Sequence, residues 1–285
     1  MRVLLKWALR VVVAFVVALV LIGIWKREEI TRLLAVNSLF APDKIVHNFS
    51  HMDQAFLSAP IPRGTAAVSP LPQGLGLSLP NNVEAWIKDR AITSLVMLKD
   101  GEIVHESYHL GTKPDDLRIS WSVAKSYLSA LMGILLDEGV IASIDDPVTK
   151  YAPALADSAY NGATIRNVLN MASGVTFDED YLDFNSDINR MGRVLALGGH
   201  LDDFTAALDQ RFAPPGTDWQ YVSIDTHVAA MALRKVTGKS LHQLWEETYG
   251  ANLGMGKPPF YLTDGKDVAF ALGGLNLRTR DYAKF

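Results

Sequence analysis

The sequence predicts an α+β fold, and two observations carry that prediction. Residues 92–98 (ITSLVML) and 102–110 (EIVHESYHL) are strand-like runs joined by Lys99-Asp100-Gly101. Beyond them, helical periodicity with glycine stops dominates the chain. Asp-Gly between two such runs marks a tight hairpin, because glycine accepts the positive φ that the turn needs. A strand pair followed mostly by helices places an antiparallel sheet on one side of a helical subdomain.

The elements follow in order from the amino terminus. Residues 1–32 carry six basic side chains (Arg2, Lys6, Arg10, Lys26, Arg27, Arg32) and two acidic ones (Glu28, Glu29), a net +4 in a chain whose total is −4. These charges surround an unbroken apolar run from Val11 to Trp25. The run approaches the roughly 20 residues that a membrane-spanning helix needs, with Arg10 free to snorkel. Gly23-Ile24-Trp25-Lys26-Arg27 is a poor cleavage site, which favours an uncleaved anchor over a removed signal segment. Lysine and arginine are balanced on the two sides of the run, so the positive-inside rule orients it only weakly. Residues 33–80 are expected to be a linker, because Pro60, Pro62, Pro70, Pro72 and Pro80 interleave with Gly64, Gly74 and Gly76. Such a stretch holds neither a long helix nor a central strand.

The folded part is expected to occupy 81–285. A short helix is predicted over 83–90, then the hairpin. A long helix follows from Ser122 to Glu138, stopped by Gly139. Its small residues Ser126, Ser129, Ala130 and Gly133 suggest a central helix approached on all sides. Further helices are predicted over 164–173 and 225–237, capped by Gly174 and Gly238. Another begins at Ser240, whose partner Gln243 completes a capping box.

Composition narrows the chemistry. Zero cysteine excludes a disulfide scaffold, a thiol nucleophile, an iron–sulfur cluster and a Cys-ligated zinc. The body beyond residue 32 carries −8 and lacks the clustered cations of a nucleic-acid surface. His105 and His109 on the second strand, and His47 and His51 before the linker, lack a carboxylate cluster, so no metal is expected.

Ser122 and Lys125 are three apart at a helix start, which places both on one face about one turn apart. A partly desolvated amine loses its proton near neutral pH and activates a neighbouring hydroxyl. The helix N-terminus adds a positive end where an acyl oxyanion would form. Residues 177–187 form an acidic and aromatic loop that contains Tyr181.

Several ordered stretches resemble the penicillin-recognising serine hydrolases. They are Ser122-Val-Ala-Lys125; Glu138-Gly139 through Asp145-Asp146-Pro147-Val148 and Tyr151-Ala-Pro153; Thr164 through Ser173-Gly174-Val175; Pro214-Pro215-Gly216 leading to Tyr221-Val222-Ser223; and Gly273-Gly274-Leu275 with Thr279-Arg280-Asp281-Tyr282-Ala283. The resemblance covers about residues 83–285 and points to the class C β-lactamase-related family, in its esterase and 6-aminohexanoate oligomer hydrolase branch. It implies a β-lactamase/transpeptidase-like fold and no cofactor. The implied catalytic set is Ser122 as nucleophile with Lys125 and Tyr221 as acid/base groups, and Tyr181 and Ser223 contact substrate.

Ser223 stands where the family pattern Y-x-N has asparagine, which favours an esterase or amidase over an antibiotic-resistance lactamase. A K-T-G-like or H-x-G-like motif and further sheet strands are expected beyond Phe285, in a longer protein. The implied partners are a small ester, amide or peptide substrate and the membrane, with the catalytic domain periplasmic or extracellular. Two alternatives stay open: a non-catalytic or acylation-only penicillin-binding sensor, and a true β-lactamase or D-amino peptidase.

Overall fold

The computed structural model describes residues 2–285, with side chains described from residue 6 onward. Helix α1 (Arg2–Trp25) contains a 20-residue stretch, Lys6–Trp25, with a mean hydropathy of 2.7 and nothing buried. At 1.5 Å per residue such a stretch is about 30 Å long, the thickness of a bilayer's hydrocarbon core. By length and composition it can cross a membrane.

The segment 33–80 departs from the extended linker expected of it. Helix α2 (Arg27–Asn37) runs into it, α3 (Ile45–Asn48) follows, and β1 (Ser58–Pro60) joins a sheet. Leu39, Met52, Phe56 and Ile61 are buried in the core. The dense Pro and Gly pattern starts only at Pro60, so the apolar residues before it are free to pack. Pro60 sits on an edge strand, where a missing N–H costs no ladder bond.

Helix α4 (Val83–Asp89) precedes the hairpin of β2 (Ser94–Lys99) and β3 (Glu102–Tyr108). Asp100 and Gly101 have φ of 53° and 82°, the two positive values that a type I′ turn requires. This pair forms its own two-stranded sheet. The short strand β4 (Arg118–Ile119) feeds a 3₁₀ turn, Trp121–Val123, and then α5 (Ala124–Asp137). Tyr127, Leu128, Leu131, Met132 and Leu135 bury one face of α5, whereas Ser126, Ser129 and Gly133 are exposed. The helix is therefore packed on one side rather than all round.

Next come α6 (Val148–Tyr151) and α7 (Ile165–Leu169). Thr164 and Asn167 form a reciprocal capping box at the start of α7. This helix stops well before Ser173, because Met171 adopts a φ of 54° and turns the chain. Helices α8 (Asp187–Ala196), α9 (Leu201–Ala206), α10 (Ile224–Thr237) and α11 (Leu241–Trp245) complete the helical body. Strands β5 (Phe260–Leu262) and β6 (Leu275–Leu277) and helix α12 (Thr279–Lys284) close the chain.

The second sheet has the antiparallel order β1-β5-β6-β4. Its strands hold two or three residues each, too few to leave a readable alternation in the sequence. Arg118 pairs with Leu277 and Ile119 with Asn276, and the Ser120 N–H continues the ladder to the Leu275 carbonyl at 2.8 Å. The sheet thus delivers the chain directly to Ser122. Two apolar clusters hold the body: one joins α5, α6, α7, α10 and α11, the other gathers Met52, Phe56, Phe177, Met191 and Phe270. Arg280 on α12 binds Glu106 of β3 through two hydrogen bonds of 2.7 and 2.5 Å, which ties the hairpin to the rest.

Candidate active site

Ser122 lies in the 3₁₀ turn between β4 and α5 and is exposed. The residue before it, Trp121, has a φ of 42°, which bulky side chains rarely adopt. Packing sustains this backbone: the Trp121 ring lies 5.7 Å from Phe40, stacked, and 5.5 Å from Phe49, edge-on.

One turn later, Lys125 Nζ donates to Ser122 Oγ at 3.0 Å and to the Leu272 carbonyl at 2.8 Å. That carbonyl belongs to the approach to β6, so a segment 147 positions away helps fix the amine. Burial lowers the Lys125 pKa, against the opposing pull of Tyr221 and Glu179. Tyr221 arrives from 99 positions away, and its hydroxyl lies 2.8 Å from Ser122 Oγ. Lys125 Nζ also lies 5.5 Å from the centre of the Tyr221 ring. Ser122, Lys125 and Tyr221 form one hydrogen-bonded cluster around a single hydroxyl.

Tyr181 and Ser223 meet at a group that sequence reasoning did not single out, Glu179. Its carboxylate accepts from the Ser223 N–H, from the Ser223 hydroxyl at 3.1 Å and from the Tyr181 hydroxyl at 3.2 Å. Ser223 is almost fully buried, and its hydroxyl donates to Glu179 rather than facing open solvent. The Tyr181 ring remains largely exposed, and partial burial followed by the Glu179 charge pushes its pKa up to about 12. Asn189 and Arg193 of α8 brace the same loop by donating to its carbonyls, Asn189 to Asp183 at 2.8 Å and Arg193 to Phe184 at 2.7 Å. The only sequence signal for Glu179 is its place in an acidic stretch, which does not distinguish it from Asp178 or Asp180.

The histidines do other work. His105 and His109 share the Ser107 hydroxyl at 3.0 Å each, and the rings of His47 and His51 stack at 4.0 Å. His227 pairs with Asp202 at 2.8 Å inside the helical body. Among the described residues no group of three or more His, Asp or Glu is arranged to hold a metal ion.

The beta-lactamase family profile matches residues 81–280, which takes in α5, Tyr221 and the start of α12. The chain belongs to the beta-lactamase family. It is 28% identical over 240 residues to a 6-aminohexanoate-dimer hydrolase of Paenarthrobacter ureafaciens, covering 82% of this chain. It spans 59% of that relative's length. Among solved structures, it resembles a Bacillus anthracis protein described as a 6-aminohexanoate-dimer hydrolase, with a TM-score of 0.74 at 21% identity, covering 87% of this chain and 69% of that one. The octameric penicillin-binding protein homologue of Pyrococcus abyssi aligns with a TM-score of 0.52 at 20% identity over 71% of this chain and 53% of the other. These likenesses establish the β-lactamase/transpeptidase-like fold anticipated from the ordered motifs.

Proposed function

We propose that this beta-lactamase family member is a serine hydrolase acting on an ester or amide bond through an acyl-enzyme on Ser122. The observation that carries the reading is the placement of one serine hydroxyl within hydrogen-bond distance of both Lys125 Nζ and Tyr221 OH. In its neutral form the Lys125 amine accepts the Ser122 proton, either directly or through Tyr221, as Oγ attacks the substrate carbonyl. Tyr221 then donates a proton to the departing alcohol or amine and recovers one from Lys125. Water, deprotonated by the same pair, releases the acid and restores Ser122.

The positive end of α5 falls at the turn bearing Ser122, where the oxyanion develops. The shared bonding of Tyr181 and of Ser223, two residues from Tyr221, to Glu179 supports a substrate contact for Tyr181. The 6-aminohexanoate-dimer hydrolase relative supports small amides as the first class to test. The apolar helix α1 supports a membrane-tethered hydrolase. Retention in membranes after an alkaline carbonate wash tests the tether, and release into the supernatant would refute it.

The catalytic reading is tested by comparing p-nitrophenyl esters, nitrocefin, D-amino peptides and aminohexanoate dimers with the full-length protein and its Ser122→Ala variant. Turnover of esters or linear amides, abolished in the variant, is expected. Turnover unchanged by Ser122→Ala would overturn the assignment. Stoichiometric acylation without release would favour a penicillin-binding sensor instead.

A further inference from the structure

Asp225 stands on the first turn of α10, four residues after Tyr221, and is fully buried. Its Oδ1 accepts from the Tyr160 hydroxyl at 2.7 Å and the Ser173 hydroxyl at 2.9 Å, while Oδ2 has no hydrogen-bond partner. A carboxyl withdrawn from water with half of its acceptor capacity unmet costs stability. A pocket of that shape is filled more favourably by an apolar side chain unless the carboxyl holds something in place.

What it holds is the turn 171–174. That turn lies against the segment leading to Tyr221 and is bonded to it through the backbone. The Phe212 N–H donates to the Gly174 carbonyl at 2.9 Å, Gly216 to Ala172 at 2.7 Å, and Gln220 to Met171 at 3.1 Å. The last of these bonds ends one residue before Tyr221. The approach is close enough that a Cβ on Gly174 would lie 2.1 Å from the Ala213 carbonyl oxygen. The chain therefore closes a ring. The turn grips residues 212–220, Tyr221 follows, α10 begins, and Asp225 returns to the turn through Ser173.

We propose that Asp225 is a positioning residue for Tyr221, acting through Ser173 to lock the turn that sets the Tyr221 hydroxyl against Ser122. Tyr160 braces Asp225 from the far side. Its own segment bonds to Leu208 and Arg211, at Ala159 N–H to the Leu208 carbonyl (2.7 Å) and Arg211 Nε to the Ala159 carbonyl (2.5 Å). Tyr160 therefore steadies the carboxyl from a segment that meets the strip leading to Tyr221 only at Arg211, nine residues before Gln220. Among titratable groups, Tyr160 bonds the carboxyl directly and the Glu179 carboxylate of the acidic loop acts on it only through its charge.

The contrast between the two donors is the test. In the full-length protein, Ser173→Ala is expected to lower kcat for an activated ester about tenfold or more, with KM within about twofold. Tyr160→Phe is expected to lower the melting temperature while keeping kcat within about threefold of wild type. Asp225→Ala should match Ser173→Ala, and the double variant should be no worse than either, because both remove one link. If Asp225→Ala does not fold, the Ser173→Ala and Tyr160→Phe pair still decides.

Wild-type kcat in Ser173→Ala, or equal losses in Ser173→Ala and Tyr160→Phe, would overturn the proposal. Amide hydrogen exchange at Gln220 gives a readout free of turnover. It should quicken in Ser173→Ala and stay unchanged in Tyr160→Phe, and exchange unchanged by Ser173→Ala would also overturn the proposal. Should the wild-type protein turn over neither ester nor amide, the serine-hydrolase reading falls, and the exchange contrast alone judges the role of Asp225.

Discussion

The Tyr221 hydroxyl lies 2.8 Å from Ser122 Oγ, joining two segments 99 positions apart in the chain. Each partner comes from a different construction. Ser122 is delivered by β4 and the strained Trp121 turn, Tyr221 by a loop gripped between 171–174 and the start of α10. Replacing Tyr221 with Phe keeps the ring and removes only the hydroxyl. The expected result is a fall in kcat of about 10²–10⁴-fold, with KM nearly unchanged. Steady-state kinetics on an activated ester measure it, and a loss confined to KM would contradict the role.

Lys125 predicts the pH dependence. Burial lowers its pKa below the ordinary lysine value. The neutral amine is the competent form, so the acylation rate should rise with pH, with a midpoint below about 10.4. Lys125→Met should abolish that limb. A profile whose rising midpoint sits at or above the ordinary lysine value would count against Lys125 as the base.

Glu179 predicts a change in the neighbouring loop. Glu179→Ala removes the acceptor shared by Tyr181, the Ser223 hydroxyl and the Ser223 N–H. The Tyr181 pKa, pushed up to about 12 by burial and by Glu179, should fall. Spectrophotometric titration of the tyrosines, compared with a Tyr181→Phe reference, reports the shift. Proteolysis within 180–186 should quicken in the same variant. An unaltered titration together with unaltered cleavage would show that the carboxylate does not hold the loop.

Asp225 makes a prediction about stability. Burial raises its pKa to about 7, so the folded state binds more protons than the unfolded state between roughly pH 4 and 7. Stability should therefore fall as pH rises through that window, by up to about 4 kcal/mol from this group, and level off above it. Asp225→Asn removes the titration. Urea unfolding at pH 5 and pH 8 should show a smaller pH dependence in the variant than in the wild type. An equal dependence in both would place the proton elsewhere.

Much of this arrangement was legible where the signal is local. Asp100-Gly101 encodes its own turn, Ser240 and Gln243 encode their own cap, and Ser122 and Lys125 meet because one helical turn separates them. The rest depends on partners that leave no local trace. The Leu272 carbonyl that holds Lys125 is a backbone group, available in any residue at that position. Glu179 is one of several carboxylates in its loop, and only the fold selects it. Residues 39–61 read as part of a linker, yet Met52 and Ile61 are fully buried in the apolar core. Asp225 sits in a helix correctly anticipated, but its burial follows from Tyr160 and Ser173, 65 and 52 positions away.

The most direct test of the account is covalent labelling of the full-length protein with a fluorophosphonate probe, followed by peptide mass mapping. A single adduct on Ser122 is expected, lost in Ser122→Ala and formed much more slowly in Lys125→Met and Tyr221→Phe. Labelling that persists in Ser122→Ala, or a wild-type protein that stays unlabelled at a pH where Lys125 is neutral, would contradict it.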